Sequence, residues 1–151
     1  ASARPPETTG CPYATPSCSK DCLVDTGNLL YPSVRRAMIS KTLLWVYFPE
    51  FFLNLLVSEI LRFKLESDFS EKKPAIRLNG ASDIPWHKYL DLEKIFKDTG
   101  IRFYDYTKYP YRDGLPSRDA YSVTFSISEH PKSWERAFKW LDQGYSAAGL
   151  P

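Results

Sequence analysis

The sequence predicts an α/β fold: a three-stranded, mostly parallel sheet of β/α units, partial-barrel-like, preceded by two helices and a cysteine-containing N-terminal arm. Three observations lead there. Two segments with helical apolar spacing come first, over residues 32–48 and from Pro49 onward. Three short β-rich runs follow, at 75–79, 101–106 and 121–127. The stretch between the first two runs is long enough for one crossover helix, so a parallel pair with a right-handed crossover is the natural connection. At 151 residues the chain has room for one domain, or one domain with an arm.

The elements can be justified in order. Residues 1–26 are proline-rich, hold all three cysteines and lack a sustained apolar period, so they read as an arm or metal loop ordered by docking or by a bound metal. Residues 27–151 read as the α/β domain. Pro32 suits the first turn of a helix, where its missing N–H costs nothing. Val34, Ala37, Met38, Lys41 and Trp45 continue at helical spacing, and Pro49 stops the run. The second helix has Glu50 near its positive end. Phe52, Leu55, Leu56, Ile60 and Phe63 make it apolar on more than one face, as in a well-buried helix. Ala75 to Asn79 is the first strand and Gly80 to Asp83 a turn. A helix is expected from Trp86 to Lys97, closed by Gly100. Ile101 to Tyr106 is the second strand, Tyr109 to Asp119 a loop, and Tyr121 to Ile127 a cleanly alternating third strand. The last helix runs from about Ser133 to Gln143 and ends at Gly144.

Composition narrows the function classes. The chain is 43% hydrophobic and 25% charged, which excludes a fully disordered chain, collagen and a disulfide-dense miniprotein. Its net charge of +2 is low for a protein that lives by gripping phosphates. No apolar run reaches the ~18–20 residues needed to span a bilayer. The sequence contains no Walker phosphate loop, no His-Glu-x-x-His helix and no Gly-x-Ser-x-Gly elbow. The first residue is Ala1 rather than Met, so a trimmed or fragmentary chain is expected.

In a parallel α/β array chemistry gathers where strands end. Here those ends are polar. The first offers Asn79, Ser82, Asp83 and Trp86, the second Asp105, Tyr106, Thr107 and Lys108, the third Ser126, Ser128, Glu129 and His130. Asp83 and Asp105 are the candidate catalytic carboxylates, a pair suited to acid–base work. Asn79, Ser82, Trp86, Tyr106, Lys108, Ser126 and Glu129 are candidates for lining the substrate side. Asp83 with Ser82 equally suits a helix cap, as does Glu129 before Pro131. Tyr104, Tyr106, Tyr109 and Tyr111, with Lys108 and Arg112, could stack on and neutralise a single nucleic-acid strand.

The cysteines fall as Cys11-x6-Cys18-x3-Cys22, with none in the remaining chain. Three thiolates suit a soft site: a [4Fe–4S] cluster with one iron left open, or zinc with a fourth ligand such as Asp25, His87 or His130. One disulfide plus a free thiol is the alternative. Such a cluster of cysteines in a reducing compartment favours metal and the cytoplasm.

Four blocks of the sequence resemble a group of poorly characterised bacteriophage proteins, the gene-product-88-like family. They are Cys11-Pro12-Tyr13-Ala14 with Cys18, Cys22, Gly27 and Tyr31-Pro32-Ser33-Val34; Arg77 through Trp86; Phe103 through Lys108; and Tyr121 through Glu129. Where such proteins carry an aromatic after the third cysteine, this chain has Leu23. The resemblance implies a phage protein at work in the cytoplasm of an infected host cell, with further chain beyond Gly144. A second, looser similarity of layout is to radical S-adenosylmethionine (SAM) enzymes, in which an N-terminal three-cysteine loop sits over β/α units. That resemblance implies Cys11, Cys18 and Cys22 as ligands of a [4Fe–4S] cluster, with SAM as cofactor. The expected function is thus a phage accessory enzyme with an iron–sulfur site, acting on an unknown small-molecule or macromolecular substrate. The alternative is a zinc-stapled module that binds protein or nucleic acid without catalysis. No membrane partner is expected, and a homo-oligomer would help to close the site.

Overall fold

The structure, a computed structural model, describes residues 10–20, 22, 25–110 and 113–149. Its centre is a parallel sheet of four strands in the order β1-β2-β3-β4: Ala75–Arg77, Arg102–Thr107, Tyr121–Ser126 and Ser146–Ala148. The register pairs Ile76 with Phe103, Asp105 with Val123, and Phe125 with Ala147. Each strand thus lies beside its successor, the arrangement of successive β/α units. The α/β class and the parallel pairing agree with the sequence reading, but the strand count of three does not. The fourth strand consists of Ser146, Ala147 and Ala148, small residues of poor β propensity. It exists because Ile127 and the edge of β3 offer it backbone partners, including Ile127 N–H to the Ala148 carbonyl at 2.7 Å.

Five helices accompany the sheet among the described residues: α1 (Pro16–Lys20), α2 (Pro32–Tyr47), α3 (Pro49–Phe69), α4 (Leu92–Thr99) and α5 (Ser133–Asp142). Pro32 and Pro49 open α2 and α3 at the first helical position. Between them Phe48 adopts φ −136°, ψ 58°, because a residue before proline is driven out of the helical region. This makes α2 and α3 a hairpin. The helix expected over Trp86–Lys97 is instead a 3-10 turn at Trp86–Lys88 followed by α4. The Asp91 side chain accepts the Lys94 N–H at 2.9 Å and so starts α4 late, while Gly100 in the left-handed region (φ 71°) ends it. Gly144 turns α5 into β4 with φ 76°, and a Cβ there would stand 2.5 Å from the Arg118 guanidinium.

One face of the sheet is sealed. Phe103, Tyr121, Val123 and Phe125 lie on it with Ile101, Leu92, Ala137 and Trp140 from the flanking segments, all at most 5% exposed. The other face, bearing Tyr104, Tyr106 and Ser122, is open. A second, aromatic part of the core joins the hairpin to the body. Trp45 meets Trp86 at 5.4 Å and Tyr89 edge-on at 4.9 Å, and Phe52 stacks near Trp86 at 6.1 Å. The expectation that the second helix is buried all round is overturned: only Ile60 and Ser67 of α3 are buried. Phe52, Leu53, Leu56 and Val57 are only partly buried against the core, and Phe51, Leu55, Leu61, Phe63, Leu65 and Phe69 are exposed.

Candidate functional site

The polar segment after β1 is organised by Asn79. Its carboxamide oxygen accepts from Ser82 Oγ (2.8 Å), the Ile84 N–H (3.0 Å) and Trp86 Nε1 (3.0 Å), while its Nδ2 donates to the Ile84 carbonyl (2.9 Å). One side chain therefore folds the loop 79–86 and pins Trp86 into the aromatic core. Asp105, on β2, lies under the same loop. Its Oδ1 accepts the Asn79 N–H at 2.8 Å and its Oδ2 the Tyr121 hydroxyl at 3.0 Å. Arg77 Nε stands 4.0 Å from Oδ1. Burial pushes Asp105 up to about 6, against the downward pull of those hydrogen bonds and of Arg77. Burial and the Asp105 charge in turn push the Tyr121 phenol up.

Asp83 closes the loop onto the next strand. Its carboxylate accepts from Thr107 Oγ1 (2.6 Å) and the Lys108 N–H (2.8 Å), joining the ends of β1 and β2. It caps no helix. Burial pushes its carboxyl above the usual range, with the two hydrogen bonds pulling the other way.

The cysteine segment docks on these strand ends at several points. The Asp83 N–H donates to the Gly10 carbonyl at 2.6 Å, and Cys11 Sγ lies 3.9 Å from the Ala81 carbonyl. On the far side Glu129 Oε1 accepts the Ser17 N–H at 3.0 Å. The Thr15 hydroxyl, then the backbone N–H groups of Glu129 itself and of Ser17, hold the Glu129 carboxyl down at about 2. Tyr13 also meets Tyr109 edge-on at 4.9 Å. Glu129, read from the sequence as a substrate or capping residue, thus clamps the cysteine loop.

A cavity of about 370 Å3 opens between the docked loop and the strand ends. Cys11, Cys18 and Cys22 all line it, each half-buried and none in a disulfide. Ser82, Asp83, Tyr106, Lys108, Ser126 and Glu129 border it as well. Asn79, Trp86 and Asp105 do not. They form the layer behind it, Asn79 and Asp105 at no more than 2% exposure and Trp86 at 4%. Among the described residues no group of three or more His, Cys, Asp or Glu is gathered tightly enough to hold a metal ion. Burial raises the Cys11 thiol, and Asp83, Cys18 and Cys22 raise it further.

Sequence reasoning overlooked two contributors, Arg77 and Thr15, and gave Thr107 no role beyond a polar strand end. Arg77 lines the cavity and lies over the Tyr106 ring at 5.2 Å. Thr107 anchors Asp83, and Thr15 meets Glu129. Only Arg77 carried a signal, as a cation ending a strand just before a polar turn. Of the residues proposed for nucleic-acid stacking, Tyr104 and Tyr106 are less than half exposed on the open sheet face, whereas Tyr111 and Arg112 lie outside the described residues.

The family model for gene product 88 matches residues 2–148, nearly the whole chain. The chain belongs to the gene product 88 family. This is the phage group that the four sequence blocks resemble, and all four fall inside the matched range. Neither a curated protein nor a solved structure matches the chain. No helix among the described residues is long and apolar enough to cross a membrane.

Proposed function

We propose that the cavity at the strand ends is an enzyme site built on a cysteine-ligated iron–sulfur centre, with a radical-SAM-like role in the cytoplasm of a phage-infected cell. One observation carries the reading: the three cysteines of the chain border the same cavity as the polar ends of the parallel strands. Three thiolates are the donor type of a [4Fe–4S] cluster with three protein ligands, and binding it would draw the Cys11, Cys18 and Cys22 sulfurs together from their present positions. The three thiols sit within twelve residues of one another, Cys18 on α1, and no histidine lines the cavity among the described residues. Burial and then the Asp83 charge oppose ionising the Cys11 thiol, a cost that a bound cationic centre offsets.

When bound, such a cluster supplies one-electron chemistry. The chain's own residues do the rest. Arg77 and Lys108 offer positive charge to a carboxylate, and Asp83 offers negative charge to an ammonium or sulfonium group. Such a lining suits the zwitterionic end of SAM. Asp83 is the acid–base candidate, because its raised carboxyl faces the cavity. Asp105 acts from behind, holding the loop that presents Asp83. Ser126 and Tyr106 border the substrate space.

Anaerobic purification with iron, sulfide and zinc analysis tests the reading. Iron and sulfide, with a broad band near ~400 nm that dithionite bleaches, support it. Loss of that band in Cys11→Ser, Cys18→Ser and Cys22→Ser assigns the ligands, and titration with SAM then tests the cofactor. Stoichiometric zinc without colour would move the reading to a zinc-stapled binding module. Absence of both metals, with a Cys11/Cys18/Cys22→Ala variant as well folded as the parent, would sink both.

A further inference from the structure

We propose that the outer face of the α2–α3 hairpin is a two-fold interface with a second copy of this chain. Both helices bury one seam against the body, around Trp45 on α2 and Phe52 and Ile60 on α3. Both carry a second apolar stripe on the side away from it. On α2 the stripe is Ile39, Leu43, Val46 and Tyr47, between 42% and 69% exposed. On α3 it is Phe51, Leu55, Leu61, Leu65 and Phe69, between 44% and 91% exposed. At helical spacing each set falls on one face. Because the two inner seams join one core, the two outer stripes share one side of the hairpin. Side chains of this size and exposure offer on the order of the ~800 Å2 per partner that a stable interface uses. That is more contiguous apolar surface than a monomer ordinarily shows to water.

The charges select a second copy as the occupant. Helix α2 contains no acidic residue, and α3 is acidic on balance. Arg35 is paired with Asp25, Arg62 with Glu66 and Lys64 with Asp68. That leaves Arg36 and Lys41 on α2, and Glu50 and Glu59 on α3, without an ion-pair partner among the described residues. Arg36 lies twelve residues before the bend at Phe48 and Glu59 eleven after it. At ~1.5 Å per residue the two stand at nearly the same depth, about 17 Å from the bend. A two-fold axis along the hairpin sets α2 of one copy against α3 of the other. It then brings Arg36 level with Glu59 twice, between apolar contacts above and below. Self-complementarity of this kind is what an isologous dimer requires.

Sedimentation velocity on the full chain tests the proposal, independently of any metal. The expected species has twice the 17.4 kDa monomer mass at micromolar concentration. Leu43→Glu with Phe51→Glu should leave only monomer, with an unchanged circular dichroism spectrum. Arg36→Glu and Glu59→Arg should each weaken the dimer by about tenfold, and R36E/E59R together should recover most of that loss. A chain that is monomeric at every concentration overturns the proposal. So does a dimer that the charge reversals leave unaltered, or one that the double reversal fails to rescue.

Discussion

Beneath the cavity and at its rim the protein uses polar side chains in opposite ways. Beneath it, Asn79 and Asp105 are almost fully buried, and every hydrogen bond they make is to another part of the chain. At the rim, Glu129 is exposed and its carboxylate reaches across to a separate segment, the cysteine loop. The buried layer costs much to disturb, because groups deprived of a partner there have no water to turn to. The rim clamp costs little in stability but decides where the thiols stand. Foundation and positioning are thus divided between a buried layer and the rim above it.

The comparison breaks first, if it is wrong, at Asn79. Asn79→Ala removes one acceptor from the Ile84 N–H and the Trp86 indole, both buried, along with the donor to the Ile84 carbonyl. A destabilisation of about 3–5 kcal/mol is expected from chemical denaturation. A loss below about 1 kcal/mol would mean that the layer is not a foundation.

Asp105 gives the next largest effect, through pH. Its carboxyl is raised from 3.8 to about 6 in the folded chain. The folded state therefore holds this proton more tightly than the unfolded state. The associated stability is complete below 3.8 and is lost as pH rises through about 6, with a span on the order of 2–3 kcal/mol. Asp105→Asn keeps the shape and the Asn79 N–H bond but cannot titrate. Subtracting its stability profile from that of the parent should leave a fall between pH 4 and 6, and a flat difference would refute the assignment.

The smallest effect on stability, and the sharpest contrast, belongs to Glu129. Glu129→Gln should leave the unfolding midpoint nearly unchanged while Cys11 and Cys18 in the metal-free chain are alkylated severalfold faster. The carboxyl is lowered from 4.5 to about 2, so in the parent the clamp is fully in place above about pH 4.5 and is lost as pH falls from there through about 2. Alkylation rates indifferent to the substitution would remove Glu129 from the positioning role.

Much of this was legible along the chain. Proline at 32 and 49 and the apolar spacing between them specify the hairpin, and the alternation in Tyr121–Ile127 specifies a strand. The short loop of cysteines and the polar strand ends marked the cavity. Three things were not legible. The fourth strand lacks β propensity and depends on the edge of β3. The division of the polar residues into a buried layer and a rim depends on which way each side chain leaves its loop: Asn79, Trp86 and Asp105 turn inward, while Ser82, Asp83 and Lys108 reach the cavity. The exposure of α3 was hidden because an apolar helix looks the same in sequence whether its own domain covers it or a partner does.

The sequence by itself determined the two hairpin helices, three of the four strands, their parallel order and the residue types at the strand ends, because periodicity, proline placement and crossover handedness are local or nearly so. Only the tertiary structure decided which carboxylate is buried and which clamps, that the three cysteines face one cavity, and that the hairpin turns an apolar face outward. Those outcomes depend on contacts between residues far apart in the chain, such as Ser17 with Glu129 and Asn79 with Asp105, and no local pattern encodes them.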